Sequence, residues 1–387
     1  MNVNRDRSIG MEEICTHFRD DPSRYMGAVT PPIFQTSLFT ECSGNEGGME
    51  GRYVYTRVSN PTTEIAERKI AEMEKAESAI CFSSGMGAIS AAIMHYVKKD
   101  CHVVAVASIY GPAYRLLNDY LAKFNIHTSF VKGDNLSEIE ECINDKTTLV
   151  YLESPSTYLF TIQNLGELSC VLKKKGISTI IDNTYSTPIF QNPLSFGIDM
   201  VVHSASKYLG GHSDMIGGVI AGRETDIKEI AQNERELFGA VMSPFDSWLL
   251  LRGLRTLPLR MKEHMKNTME IAEFLSQRKE VKKVIYPFHP SHPQYTLAKK
   301  QMSGASGLMS IVLDLPGDKI IKFAEELHYF YRGPSWGGYE SLISTVGAHE
   351  ETDSETMLKG LVRLHIGLEN PEILKEDLAQ AFRKCAL

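Results

Sequence analysis

Short apolar runs alternate with amphipathic helical patterns through the middle of the chain, from about residue 60 to residue 250. Short apolar runs bounded by turn residues predict buried strands, and apolar positions recurring every three or four residues predict helices. The predicted strands are 79–82, 102–107, 148–152, 178–181, 200–203 and 216–221, and the predicted helices are 63–75, 85–97, 113–124 and 165–174. This alternation predicts an α/β fold whose mostly parallel sheet has helices on both faces.

The pattern changes after about residue 258. Residues 262–279 form a long amphipathic helical pattern, 308–313 and 361–366 are strand candidates, and 372–383 predict a closing helix. These elements predict a second, smaller α/β domain at the C-terminal end, as expected for a chain too long for one core.

The first 59 residues have several prolines, a glycine-rich patch at 44–51 and little periodicity. They predict an extended arm. A disordered tail is the alternative, but Phe34, Phe39, Tyr53 and Tyr55 make the segment too aromatic for that interpretation. The expected division of the chain is an arm (1–59), a first domain (60–258) and a C-terminal domain (259–387).

The composition of the chain argues against several classes of binding partner. The 387 residues carry 41 Lys and Arg against 48 Asp and Glu, a net charge of −7, with no basic run, so neither nucleic acid nor an anionic membrane is an expected partner. No apolar stretch reaches the ~18 residues of a membrane span. Seven cysteines without a C-x-x-C pair predict no disulfide framework and no metal site. Together with the absence of a signal-peptide pattern, they favour the cytoplasm.

One lysine stands where a buried strand ends. Residues 199–212 read DMVVHSASKYLGGH, so an apolar strand is followed by small polar residues and then by Lys207. Burying an ammonium group is costly, but a neutral amine or an imine avoids that cost. Ser204 and Ser206 alternate towards the same side and offer hydroxyl groups to an anion. The alternative is a solvated lysine at an ordinary turn, and this segment alone does not decide between the two.

Two more strand ends carry candidate chemistry. In STIIDNTYSTP (178–188), a β-branched run delivers Asp182 to a strand end, where a buried carboxylate can pair with a protonated ring nitrogen. A plain Asp-Asn turn is the alternative. In FSSGMGAIS (82–90), a strand runs into a glycine-rich turn that opens a helix and predicts a phosphate cradle. A dinucleotide site is disfavoured, because the next strand runs into Ser108-Ile109-Tyr110 without an acidic residue.

Tyr110 follows that next strand, and its ring could stack on a flat ligand or belong to the core. Taken together, a phosphate cradle, an aromatic ring, an acid and a lysine each follow a different strand of one predicted sheet. Ligands of such sheets bind at the carboxyl ends of the strands, so one shared site is a better prediction than four unrelated turns.

From about Pro31 to its end, the chain resembles the transsulfuration enzymes, a family that uses pyridoxal 5'-phosphate in cysteine and methionine metabolism. The family includes cystathionine β-lyase, cystathionine γ-lyase, cystathionine γ-synthase and methionine γ-lyase. The matching motifs are YVYTRVSNPT (53–62), SSGMGAI (83–89), YLESPS (151–156), IDNTYSTP (181–188), VVHSASKYLGGHSD (201–214) and LVRLHIGLEN (361–370). The resemblance implies a fold-type-I architecture, like that of aspartate aminotransferase, and a homotetramer with sites shared between two subunits.

The resemblance also implies roles for single residues. Lys207 would hold the cofactor as a Schiff base and move protons, and Asp182 would bind the pyridine nitrogen. Tyr110 would stack on the ring, and either Tyr110 or Lys207 could protonate the departing sulfur. Glu153 is left with a structural role. The residues expected to hold the phosphate are Gly85, Met86, Ser204 and Ser206, joined by Tyr55 and Arg57 from a neighbouring subunit.

Arg363 would bind the α-carboxylate of an amino-acid substrate through a bidentate pair. An arginine on an edge strand is the alternative. A non-catalytic homologue is disfavoured, because Lys207, Asp182, Tyr110 and Arg363 are all present.

The member of the family is less sharply indicated. PSWGGYESL (334–342) is similar to the bacterial cystathionine β-lyase pattern and makes Ser335 and Trp336 candidate substrate-binding residues, although Trp336 could be ordinary packing. Methionine γ-lyases carry other residues at the positions of Thr157 and Pro112. The expected function is therefore a carbon–sulfur lyase, with cystathionine β-lyase ahead of a γ-acting member.

Overall fold

The computed structural model describes residues 9–40, 53–348 and 358–385. Two sheets dominate these residues, one of seven strands and one of five. The glycine-rich patch at 44–51, part of the predicted arm, lies outside the described residues.

The larger sheet has the strand order β1-β7-β6-β5-β4-β2-β3. Its strands are β1 (Ser78–Phe82), β2 (His102–Val106), β3 (His127–Val131), β4 (Thr147–Glu153), β5 (Ser178–Asp182), β6 (Met200–Ser204) and β7 (Gly218–Gly222). All neighbours are parallel except β7, which is antiparallel to both β1 and β6. Since two antiparallel steps restore direction, β1, β2, β4, β5 and β6 all end at the same edge of the sheet.

Both faces of this sheet are covered. Ile80 and Phe82 of β1 pack into one apolar core, whereas Ala79 and Cys81, which alternate with them along the strand, pack into another. The helices around the sheet are α1 (Met11–His17), α2 (Pro61–Glu74), α3 (Gly85–Tyr96), α4 (Gly111–Arg115), α5 (Leu136–Cys142), α6 (Leu165–Lys174), α7 (Thr187–Phe190), α8 (Glu224–Ile230), α9 (Glu236–Phe238) and α10 (Pro244–Leu254). Because the strand is pleated, successive residues point to opposite faces, and in a sheet covered on both faces they are all buried.

The second sheet has the order β10-β11-β12-β9-β8. Its strands are β8 (Val281–Ile285), β9 (Leu308–Leu313), β10 (Phe330–Arg332), β11 (Ser341–Ser344) and β12 (Leu361–His365), and the accompanying helices are α11 (Leu257–Ser276), α12 (Tyr295–Gln301), α13 (Gly317–Glu325) and α14 (Pro371–Cys385). Strand β12 pairs with β11 on one side and β9 on the other. Arg363 therefore lies on an interior strand, and the edge-strand interpretation is wrong.

Two predicted elements differ from the structure. The continuous helix expected over 113–124 is instead α4 followed by a π-helical turn (Leu116–Tyr120) and a 3₁₀ turn (Leu121–Phe124). This irregular winding keeps Leu117 and Leu121 buried, while Tyr120 and Phe124 stay exposed. Short π and 3₁₀ turns commonly absorb such a change of register.

The N-terminal segment is not extended throughout, since Met11–His17 forms helix α1. Lys69 of α2, wholly buried, anchors this segment by donating to Asp20 across 3.1 Å. Burial lowers the pKa of Lys69, and the neighbouring Asp20 opposes that shift. A paired lysine of this kind stabilises one docking position of the segment.

Candidate active site

Lys207 lies in the turn that follows β6, and its ammonium group faces the second sheet. Nζ donates a hydrogen bond to Ser335 Oγ at 2.6 Å and lies 5.5 Å from the centre of the Trp336 ring. Burial, reinforced by the positive charge of Arg363 and opposed by Asp182, lowers the pKa of Lys207 to about 8. A substantial fraction of this amine is therefore neutral near physiological pH, as covalent chemistry at Nζ requires.

Asp182 is the last residue of β5 and is buried at the same edge of the sheet. Its Oδ1 accepts from Thr184 N at 2.9 Å and from Thr184 Oγ1 at 2.5 Å. Within the described chain no donor engages Oδ2. Burial raises the pKa of Asp182, while the Thr184 hydrogen bonds and the charges of His203 and Lys207 oppose the shift. A cation brought against Oδ2 would stabilise the ionised form further.

The start of α3 lies against the end of β6. Ser84 caps the helix by accepting from Gly87 N, and a Cβ at Gly85 would stand only 2.8 Å from Ser204 Oγ. Only glycine allows this approach, which brings the start of α3, at Gly85, beside the Ser204 hydroxyl; Met86 is the next residue of the helix. The first N–H groups of a helix have no intrahelical partner, so this corner suits a phosphate.

Ser206 is in the same corner, but its hydroxyl is already engaged. Ser206 Oγ accepts from Gly217 N at 3.0 Å and lies 3.3 Å from Gly217 O. A hydroxyl group also has lone pairs and a rotatable proton, so binding an anion here would require the proton to turn away from Gly217 O.

Tyr110 follows β2 at the same edge and is 47% exposed, which excludes a core position. Its backbone N–H donates to Glu153 Oε2 at 2.8 Å. Glu153 is the last residue of β4, and its Cα pairs with that of Asp182 across the β4–β5 ladder. Burial, together with the charge of Asp182, raises the pKa of Glu153 to about 8.

Arg363 forms the opposite wall of the site. It is 6% exposed, donates to Pro334 O, and places Cζ 5.1 Å from the centre of the Tyr158 ring. No carboxylate of the described residues lies within ion-pair distance of it. Burial lowers the pKa of Arg363, and the neighbouring Tyr158 and Glu153 oppose that shift. A buried guanidinium without an ion-pair partner in the described chain can form a bidentate pair with a carboxylate ligand.

The loop that carries Ser335 and Trp336 packs directly onto the lysine turn. Gly337 has φ +90°, and a Cβ there would stand 2.9 Å from Lys207 Cα. The Trp336 ring lies 5.5 Å from that of Tyr208, so the tryptophan both packs on the core and borders Lys207. The packing and substrate-binding interpretations of Trp336 are therefore compatible.

Tyr55 and Arg57 are exposed and form a pair, with Arg57 Cζ 4.8 Å from the centre of the Tyr55 ring. No hydrogen bond or ion pair within the described chain joins either residue to Lys207, Asp182 or Arg363. The structure of the single chain thus brings together the other predicted site residues but not these two.

Sequence reasoning missed the functional potential of Glu153 and Tyr158. Glu153 ends a buried strand at the same edge as Asp182, which is the signal that could have identified it. Tyr158 gives no such signal, because its contact with Arg363 joins residues far apart in the chain.

The combined donor set fits one kind of ligand. The ligand that fits these groups is a phosphorylated pyridine aldehyde. The site offers an amine that can be neutral, a buried carboxylate with a free oxygen, a helix start with hydroxyl groups and an exposed aromatic ring. In such a site the amine binds the aldehyde carbon and the carboxylate pairs with the ring nitrogen. The fold and the site define a pyridoxal-phosphate-dependent enzyme.

Comparison with known proteins specifies the family. The model of the family described as "Cys/Met metabolism PLP-dependent enzyme" matches residues 13–383. Cystathionine beta-lyase of Lactococcus lactis subsp. cremoris is 39% identical over 92% of this chain and 95% of its own. Cystathionine gamma-lyase of Bacillus subtilis is 37% identical over 92% and 94%. The crystal structure of metB from Corynebacterium glutamicum has a TM-score of 0.91 at 31% identity and covers 97% of this chain and 98% of its own.

The chain belongs to the family of pyridoxal-phosphate-dependent enzymes of cysteine and methionine metabolism. The predicted fold class, cofactor and enzyme class, a carbon–sulfur lyase, are thereby confirmed. Among the residues described, no helix combines the length and apolar character needed to cross a membrane.

Proposed function

We propose that the protein is a cystathionine β-lyase, which splits cystathionine at Cβ into homocysteine, pyruvate and ammonia. The observation that carries this proposal is the position of Trp336, in PSWGGYESL, beside Lys207 Nζ. The β-lyase name of the Lactococcus lactis relative supports it. A γ-acting enzyme is the second candidate, because a relative at 37% identity is named a γ-lyase and SSGMGAI is shared with γ-acting members.

Lys207 is the proposed covalent attachment point of the cofactor and the base that takes the Cα proton. Bound pyridoxal phosphate supplies the electron sink that stabilises negative charge at Cα. With a pKa of about 8, Lys207 can accept and return a proton near neutral pH. Its hydrogen bond to Ser335 directs Nζ across the gap towards the second sheet.

The proposed cofactor contacts surround this lysine. Asp182 pairs with the ring nitrogen through Oδ2, and Tyr110 stacks on the ring and protonates the departing sulfur. The phosphate is held by Gly85, Met86, Ser204 and Ser206. The support is geometric, since all of these residues follow strands that end at one edge of the sheet.

Arg363 binds the substrate's α-carboxylate in this proposal. Its burial and its lack of an acidic partner in the described chain leave the guanidinium free for a bidentate pair. Ser335 and Trp336 border the space between Arg363 and Lys207, where they contact the substrate side chain.

The proposed assembly is a homotetramer in the cytoplasm. Tyr55 and Arg57 from one subunit complete the phosphate site of a neighbour, which agrees with their exposure on a single chain. The proposed division of the chain is an arm (1–59), a cofactor-binding domain (60–258) and a C-terminal domain (259–387).

A product assay with L-cystathionine tests the proposal. Pyruvate with homocysteine is the expected outcome. Formation of 2-oxobutyrate with cysteine would show attack at Cγ and replace the β-lyase by the second candidate, and Trp336 would then be interpreted as packing.

A further inference from the structure

Glu153 connects two loops that follow neighbouring strands of the large sheet. Its Oε2 accepts from the backbone N–H of Tyr110, after β2, at 2.8 Å. Its Oε1 accepts from Thr157 Oγ1, after β4, at 2.5 Å. One buried carboxyl group therefore holds both loops, and each of its two oxygens is engaged by one of them.

The two loops are also joined to each other. Thr157 N donates to Ser108 O at 3.0 Å, and Ser108 Oγ donates back to Thr157 O. The residue after Thr157 is Tyr158, held at φ +63° with its ring beside Arg363. A shift of this network would therefore move Tyr110 on one side of the site and Tyr158 on the other.

We propose that Glu153 is a positioning residue that fixes the ring and hydroxyl of Tyr110 against the cofactor. The inference rests on the proposed roles of the cofactor site and Tyr110. Tyr110 is about half exposed, so packing fixes it only in part, and the hydrogen bond from its backbone N–H to Glu153 adds a further constraint. Residues that act in catalysis need such support from buried partners.

The environment of Glu153 suits this role better than direct proton transfer. Burial and the charge of Asp182 favour the neutral carboxyl group, which can accept from Tyr110 N–H through Oε2 while Oε1 stays hydrogen-bonded to Thr157 Oγ1. Glu153 thus remains bonded to both loops while Asp182 alone carries the charge for the ring nitrogen. An amide reproduces the neutral group, so Glu153→Gln should be tolerated.

The first test compares Glu153→Ala and Glu153→Gln in the cofactor-loaded enzyme. We expect Glu153→Ala to lower kcat about 100-fold, because a displacement of Tyr110 by about 1 Å from the reacting groups has an effect of that size. The same variant should reduce the circular dichroism of the visible cofactor band. We expect Glu153→Gln to remain within about fivefold of the parent, the equivalent of one ordinary hydrogen bond. Equal losses in both variants would overturn the proposal.

Glu138→Ala is a matched control, because Glu138 also accepts from backbone N–H groups after a strand of the same sheet, those of Lys132 and Gly133. It should leave both kcat and the cofactor dichroism unchanged. A loss of kcat in Glu138→Ala equal to that in Glu153→Ala would mean that releasing any such loop has the same effect. That result would overturn a specific role for Glu153.

A double-mutant cycle shows whether Glu153 acts through Tyr110. In a Tyr110→Phe background, Glu153→Ala should lower kcat far less than in the parent, because the hydroxyl it positions is already absent. Fully additive effects would contradict the proposal. The dichroism separates this test from that of the proposed function, since it reports the cofactor's surroundings even if cystathionine is not the substrate.

Discussion

The two walls of the site are built in different ways. Asp182 and Glu153 are the last residues of neighbouring parallel strands, where the backbone ladder of the seven-stranded sheet fixes their positions, and Lys207 lies in the turn that follows β6. On the opposite wall, Arg363 is fixed by an interior strand, but Ser335 and Trp336 belong to a partly exposed loop. The wall proposed to hold the cofactor is therefore rigid, whereas the wall proposed to select the substrate is partly loop-built.

This difference suggests that the two walls serve different purposes. Loops vary and carry specificity, while strand ends supply reproducible geometry. Changes on the first wall should affect cofactor retention. Changes on the second should affect substrate binding and leave the cofactor in place.

The largest of the expected effects is at Asp182. Asp182→Asn should weaken cofactor binding and lower turnover by about 10²–10³-fold, the equivalent of breaking a buried ion pair. Cofactor content after dialysis and kcat measure the two effects. Normal cofactor retention together with a raised KM would place Asp182 on the substrate side and break the comparison.

Arg363 tests the opposite wall. Arg363→Ala should raise KM about 100-fold while cofactor loading remains normal, because a buried carboxylate would lose its charged partner. Arg363→Lys should recover part of the loss, since it keeps the charge without the planar fork. Loss of the cofactor from either variant would show that Arg363 has been assigned to the wrong wall.

The lowered pKa of Lys207 predicts how cofactor uptake depends on pH. Below about pH 8 the amine carries a proton and cannot attack an aldehyde, and above it the amine is neutral. The rate of pyridoxal-phosphate uptake by cofactor-free protein should rise about tenfold from pH 7 to pH 9. A rise of about a hundredfold over the same interval, levelling off only near the ordinary lysine pKa, would show that Lys207 is not desolvated as described.

Arg57 is expected to give the smallest effect and sharpens the comparison by adding a contribution from a neighbouring subunit. Arg57→Ala should weaken cofactor retention about fivefold, because the phosphate would lose one of several proposed partners, the equivalent of one ordinary hydrogen bond. Arg24→Ala, which removes an exposed arginine of the same segment, is the control and should change nothing. Unchanged cofactor affinity in Arg57→Ala would contradict the cross-subunit contact.

Much of the large sheet could be predicted because its interior strands are continuous apolar runs. The strands that sequence analysis missed are β3, β8, β10 and β11. Of these, β3, β8 and β10 are at sheet edges and carry polar residues at exposed positions, such as Lys282 and Lys283 of β8, whereas β11 is an interior strand of only four residues. Such edge strands lack the buried pattern that identifies interior ones.

The site could be predicted where chemistry coincides with a strand end. Lys207 and Asp182 each follow a β-branched or apolar run, so a reactive side chain coincides with the predicted end of a buried strand. The network around Glu153 could not be predicted in the same way. It depends on hydrogen bonds between loops that are about 45 residues apart in the chain, such as Tyr110 to Glu153, which periodicity does not report.

The most direct test of the proposed site is to locate the cofactor chemically. Borohydride reduction of the cofactor-loaded protein makes the lysine–cofactor bond permanent, and peptide mass mapping then identifies the modified residue. The account predicts a single modified peptide containing Lys207, with unmodified Lys69 as an internal comparison. Modification of a different lysine, or of none, would contradict the assignment of Lys207 and with it the proposed site.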